Sequence, residues 1–244
     1  VSLSWIRVRA IAVKELRDYR HNRFVILTMA LLPLLFIVAP MLQLFTAPAV
    51  AASSKLDARV GISLLYLLLI PAIVPSTLSA YSVVGEREQG TLEPVLITPI
   101  RREEFLVGKA FAVAAPTLTI AYAIFGIFLA ATKLFANPVI ASAVFAGSHV
   151  LVQLLFTPLL AGWSIWVGIA ISARSSDVRV AQQLSVFASL PPLGIVALMQ
   201  FNVITSSTGL ALALAAALLI VDGLGWRAVA AIFDRERLIT GART

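Results

Sequence analysis

Cysteine is absent from the 244-residue chain, which excludes disulfides, thiolate metal sites and cysteine nucleophiles. Histidine occurs twice, at His21 and His149, far apart in sequence. Charge is also scarce: 13% of residues are charged, against roughly 25% in a soluble domain. So little charge cannot cover a globule of this size in water. Acids are the rarer sign, 12 against 19 Lys and Arg, and the net charge is +7. The sequence has no metalloprotease H-E-x-x-H, no nucleophile-elbow serine and no carboxylate pair inside an apolar run. These absences exclude most hydrolytic and metal-dependent enzyme classes.

What remains is apolar: 60% of residues are hydrophobic and mean hydropathy is +0.96. A bilayer core of ~30 Å requires about 20 apolar residues in helical form. Six runs meet that length: Phe24 to Phe45, Gly61 to Val84, Ala110 to Ala131, His149 to Ile171, Leu184 to Ile204 and Gly209 to Trp226. The fold expected is an all-α membrane protein of six transmembrane helices in one domain covering residues 1–244. Residues 1–23 form an amphipathic segment, 24–226 the bundle and 227–244 a tail. Asn137-Pro138 reads as a turn, followed up to Gly147 by a short interfacial or re-entrant piece. No secretory signal pattern precedes the first run, which is too long for an h-region.

Basic residues flank these runs unevenly. Sixteen Lys and Arg fall before the first span, between spans two and three and between four and five, and after the sixth; three (Lys55, Arg59 and Lys133) fall on the opposite loops. The positive-inside rule then puts both termini in the cytoplasm. It also accounts for the basic excess without nucleic acid as a partner.

Five spans carry internal proline, including the pair Pro191-Pro192 in the fifth. Such prolines are either tolerated, because neighbouring helices satisfy the freed carbonyls, or mark a hinge or break. Ser164, Gly168 and Ser172 form a small-residue ladder suited to close helix packing. Before the first span, Trp5, Val8, Ala12, Leu16 and Tyr19 share a helical stripe, with Arg7, Lys14, Arg17 and Asp18 opposite. Glu15, Arg9 and Arg20 lie off that pattern. A basic amphipathic helix of this kind lies along the bilayer surface or acts as a plain positive-inside anchor.

The connection between spans two and three holds five of the twelve acids: Glu86, Glu88, Glu93, Glu103 and Glu104. Gly90, Pro94 and Pro99 punctuate it. Membrane insertion does not require such an acidic cluster, so it reads either as a docking surface or as a solvated loop. Gly85 and Gly90 have the glycine spacing of a phosphate loop, but Thr91 stands where that motif needs lysine. Gly108-Lys109 lacks the preceding glycine.

The run Gly85-Glu86-Arg87-Glu88-Gln89-Gly90-Thr91-Leu92-Glu93-Pro94, followed by Thr98-Pro99, Arg102, Glu104 and Gly108-Lys109, resembles the first cytoplasmic loop of ABC-2-type permeases. Ala181-Gln182-Gln183 and the segment from Phe233 to Leu238 add weaker support. The resemblance implies a plasma-membrane exporter subunit, bacterial in origin, without its own ATPase site. Two copies of a cytoplasmic ATP-binding cassette ATPase and a second permease copy or homologue are the implied partners, together with the lipid bilayer. No cofactor is expected in this chain; ATP and Mg belong to the partner. The implied ATPase-docking residues are Gly85, Glu86, Arg87, Glu88, Gly90, Thr91, Leu92, Glu93, Pro99, Gly108 and Lys109. A substrate that is hydrophobic or amphipathic (a drug, lipid or lipid-linked glycan) suits a bundle with almost no internal charge. The alternative is a stand-alone ion-coupled transporter or channel. That class needs ionisable groups in mid-bilayer, and Asp222 is the only acid within a span.

Overall fold

The computed structural model describes residues 4–46, 53–90, 100–201 and 208–232, and every regular element among them is helical. In chain order these are α1 (Trp5–His21), α2 (Arg23–Phe45), α3 (Ser53–Glu88), α4 (Arg102–Phe135), α5 (Pro138–Val144), α6 (Gly147–Arg174), α7 (Val178–Gln200) and α8 (Thr208–Ile232). All except α1 and α5 are long and apolar enough to cross a membrane, six in total. The chain is thus an all-α, multi-pass membrane protein.

At 1.5 Å per residue, α3 and α4 are each about 50 Å long, well beyond the ~30 Å hydrocarbon core. The surplus turns hold the polar residues Glu86 to Glu88 at the end of α3 and Arg102 to Glu104 at the start of α4. Those two ends lie beside α1, and this side is called the α1 end below.

Burial ranks the helices. The apolar window of α3 is 67% buried, that of α2 17% and that of α8 11%, so α3 is the central strut. It packs on α6, α7, α2 and α4, while α8 lies outside against α6. Helices apolar on all sides belong in lipid or in a larger interface. The ladder read from sequence forms the central seam. Ser164 and Ser76 both bond the Ser189 hydroxyl, at 3.2 and 2.5 Å. Gly168 lies so close to α3 that a Cβ would come within 2.6 Å of the Ser79 side chain.

The break considered at Pro191-Pro192 is absent, and α7 runs through both residues. The physical reason lies on α6. Pro192 cannot donate to the Ala188 carbonyl four residues back, and the Trp163 indole supplies that bond at 2.8 Å. The same repair occurs at Pro158, where the Tyr122 hydroxyl donates to the Leu154 carbonyl at 3.0 Å.

The fifth span starts at Val178, six residues before the position read from apolar content. The Asp177 carboxylate accepts from the Arg179 and Val180 amides at 2.7 and 3.1 Å and caps the helix there. The far boundary expected at Ile204 lies outside the described residues. The piece after Asn137-Pro138 is the two-turn helix α5, started by the Asn137 side chain accepting from the Val139 amide at 3.0 Å. His149 fixes the next junction through the Ala143 carbonyl, 3.0 Å away. It lies at the end of the bundle opposite His21.

Candidate docking platform at the α3–α4 connection

Helix α1 docks by a face that sequence periodicity places only in part. Its buried residues are Val8, Ile11, Glu15 and Tyr19, whereas Trp5, assigned to the same apolar stripe, is 65% exposed. The helix is rotated because it packs on protein: Ile11 presses on Gly108, where a Cβ would meet its side chain at 2.7 Å. Gly108 therefore serves close helix contact.

The rotation carries Glu15 into the protein, where it meets a lysine. Lys109, whose side chain is fully buried, donates to Glu15 at 3.0 Å and to the Ser82 carbonyl at 2.7 Å, and forms an ion pair with Glu86 at 2.9 Å. The ammonium thus donates two hydrogen bonds and is ion-paired with Glu86 as well. The Phe105 ring lies 4.9 Å from the same nitrogen. Lys14 closes the cluster from outside, 2.6 Å from Glu86, 3.3 Å from Glu15 and 3.1 Å from Asp18. Two lysines thus offset two buried glutamates, tying α1 to the end of α3 and the start of α4. Burial alone would lower the Lys14 pKa; the Glu15, Glu86 and Asp18 carboxylates outweigh it and raise it. Tyr19, walled in beside them, has its phenol pKa pushed up by burial first and by those carboxylates second. A polar cavity of about 680 Å³ opens next to the cluster, between Tyr19, Asn22 and Arg23 on one side and Tyr81 and Gln89 on the other.

A second tie lies at the start of α1. Glu104 accepts from the Ser4 amide at 3.0 Å and from the Arg101 amide at 3.1 Å, and lies 3.4 Å from Arg7. One carboxylate thereby caps two helix N-termini.

The remaining residues read from sequence divide between anchoring and exposure. Gly85 is covered by the Tyr81 ring. Glu86 and Lys109 turn inward, out of reach of a partner protein. The Arg87 guanidinium donates to the Ala173 and Ser175 carbonyls, both at 3.1 Å, closing the C-terminus of α6. Glu88 is exposed and accepts from the Val178 amide at 3.2 Å. Gln89 donates to the Tyr81 hydroxyl. Gly90, at φ +68°, ends α3 with open space around it. Because residues 85–88 are helical, they form no phosphate-cradling loop. Thr91, Leu92, Glu93 and Pro99 lie outside the described residues.

Sequence periodicity placed Tyr19 on the apolar stripe, where it is buried, but missed Glu15 and Ser82. The available signal was Glu15 itself, an acid out of place on the buried side of an amphipathic helix. Among the described residues Asp222 has no cationic partner, Arg227 included; the Trp166 indole donates to it at 3.1 Å. Among the described residues no group of His, Cys, Asp or Glu is placed to hold a metal ion.

Fold and site together define a polytopic helical membrane subunit whose most elaborate polar structure braces the connection between its second and third spans. Residues 9–209 match the family described as ABC-2 family transporter protein, and the chain belongs to that family. A comparison with curated proteins gives no match. The chain is accordingly a membrane permease of an ABC transporter.

Proposed function

We propose that this permease exports a hydrophobic or amphipathic substrate and is driven by a separate ATP-binding cassette ATPase that docks on the α3–α4 connection. The observation that supports this reading is the bracing of both ends of that connection. Glu86 precedes residues 91–99 and Lys109 follows them, and the two meet in a buried ion pair of 2.9 Å that also holds α1. The ion pair ties the end of α3 to the start of α4, so the two helix ends move together, as a force-transmitting contact requires. The asymmetry of Lys and Arg supports a cytoplasmic α1 end, on the side where ATP is available. Assembly with two ATPases and a second permease in the bacterial plasma membrane completes the proposal.

The exposed members of the motif carry the test. ATP hydrolysis by the co-purified ATPase is measured with and without the permease. Glu88→Ala and Gly90→Val should each reduce permease-dependent hydrolysis several-fold while leaving membrane insertion intact. Glu88→Gln keeps an acceptor for the Val178 amide but loses the charge, so it should behave like Glu88→Ala if that charge meets the ATPase. Gly90→Asn should stay near the parent, since asparagine tolerates positive φ better than valine does. Full hydrolysis in both Glu88 variants and in Gly90→Val would show the connection to be a solvated linker.

A further inference from the structure

On the side of Tyr19 away from the charge cluster, α1, α2 and α4 enclose a groove of about 570 Å³. Its wall is almost wholly apolar, with Leu16 on α1, Ile26 and Met29 on α2 and Ile120 on α4. Ala30 and Pro116 also line it, and their compact side chains leave the groove open. Among the described residues, the one cation in its lining is Arg20.

We infer that this groove seats one anionic phospholipid, its phosphate on Arg20 and an acyl chain along the apolar wall. Depth supports this placement. Ile26, Met29 and Ala30 lie three to seven residues beyond Arg23, about 5–10 Å into the span at 1.5 Å per residue. Pro116 lies seven residues, about 10 Å, beyond Lys109. Arg20 is therefore at headgroup level and the wall at acyl level.

The charge pattern of α1 supports the same occupant. Its ion pairs use Arg7, Lys14, Glu15 and Asp18, whereas Arg9, Arg17 and Arg20 have no carboxylate partner among the described residues. Arg9 and Arg20 share a flank with the exposed apolar residues Trp5, Ile6 and Val13. Trp5 stands edge-on to Phe111 of α4, ring centres 6.1 Å apart, as an aromatic does at a membrane interface. Basic side chains alternating with apolar ones along one flank suit a surface of anionic headgroups. Tyr19 lines both this groove and the polar cavity beside Glu86, so the bound lipid leans on the wall of the charge cluster. The inference uses the proposed function only to assign the lipid to the cytoplasmic leaflet.

Native mass spectrometry of the delipidated permease, titrated with phosphatidylglycerol or phosphatidylcholine of identical chains, tests it without requiring the ATPase. One phosphatidylglycerol per chain should be retained at concentrations where phosphatidylcholine is not. Arg20→Gln should weaken retention about tenfold, and Ala30→Phe, which fills the groove, should abolish it. Arg17→Gln, outside the groove, should change little. Equal retention of both lipids, or unchanged retention in Arg20→Gln and Ala30→Phe, would overturn the inference. Displacement of the lipid by millimolar inorganic phosphate would also overturn it, since the site would then recognise phosphate alone.

Discussion

Lys109 shows how a sequence letter changes meaning with its surroundings. Beside a glycine at the edge of an apolar run, it reads as a boundary charge at the membrane surface. In the fold its ammonium is fully buried, donates to Glu15 and the Ser82 carbonyl, and is ion-paired with Glu86. Removing one partner of a buried ion pair leaves an uncompensated charge, at a cost of roughly 3–5 kcal/mol, whereas replacing both by neutral side chains of similar volume costs far less. Lys109→Met should therefore lower the thermal midpoint of the purified permease substantially. Glu86→Gln combined with Lys109→Met should recover part of that loss. Additive losses in the double variant would mean that the two groups do not act as a pair. Glu15 was hidden from sequence for a related reason: an acid on a buried stripe looks like noise until its counter-ion, 94 positions away, is placed against it.

At the scale of elements, the spans were legible and their ends were not. Six apolar runs of bilayer length leave little freedom over helix number, and six membrane-capable helices are present. Ends depend on single polar contacts that hydropathy does not register, such as Asp177 capping α7 or Glu104 capping α4 and α1 together. The continuity of α7 through Pro191-Pro192 likewise depends on another helix, through Trp163. Trp163→Phe keeps the aromatic bulk but removes the donor, leaving the Ala188 carbonyl unmatched. The expected loss is about 1–3 kcal/mol, read as a lower thermal midpoint, with faster hydrogen exchange confined to the second half of α7. Unchanged exchange there would show that α7 needs no outside donor at its prolines. The docking face of α1 was only half legible, because periodicity identifies an apolar stripe without saying whether lipid or protein covers it.

At the scale of the molecule, the described residues form a bundle with a polar, braced α1 end and peripheral helices exposed along their apolar sides. Ile26, Leu34 and Leu42 on α2 and Leu219 and Leu224 on α8 are among these exposed residues. The family and the membrane architecture follow from this arrangement and from the match over residues 9–209. The central proposal is that an ATPase docks where α3 passes into α4. Since the chain has no cysteine, a cysteine introduced at any position is its only thiol. Glu88→Cys, Glu93→Cys and Asp57→Cys, each treated in the assembled complex with a thiol-to-amine cross-linker, compare the connection with the opposite end of α3 directly. The account predicts capture of the ATPase from Glu88→Cys and Glu93→Cys and none from Asp57→Cys. Capture from Asp57→Cys, or none from either connection position while the ATPase stays bound, would contradict it.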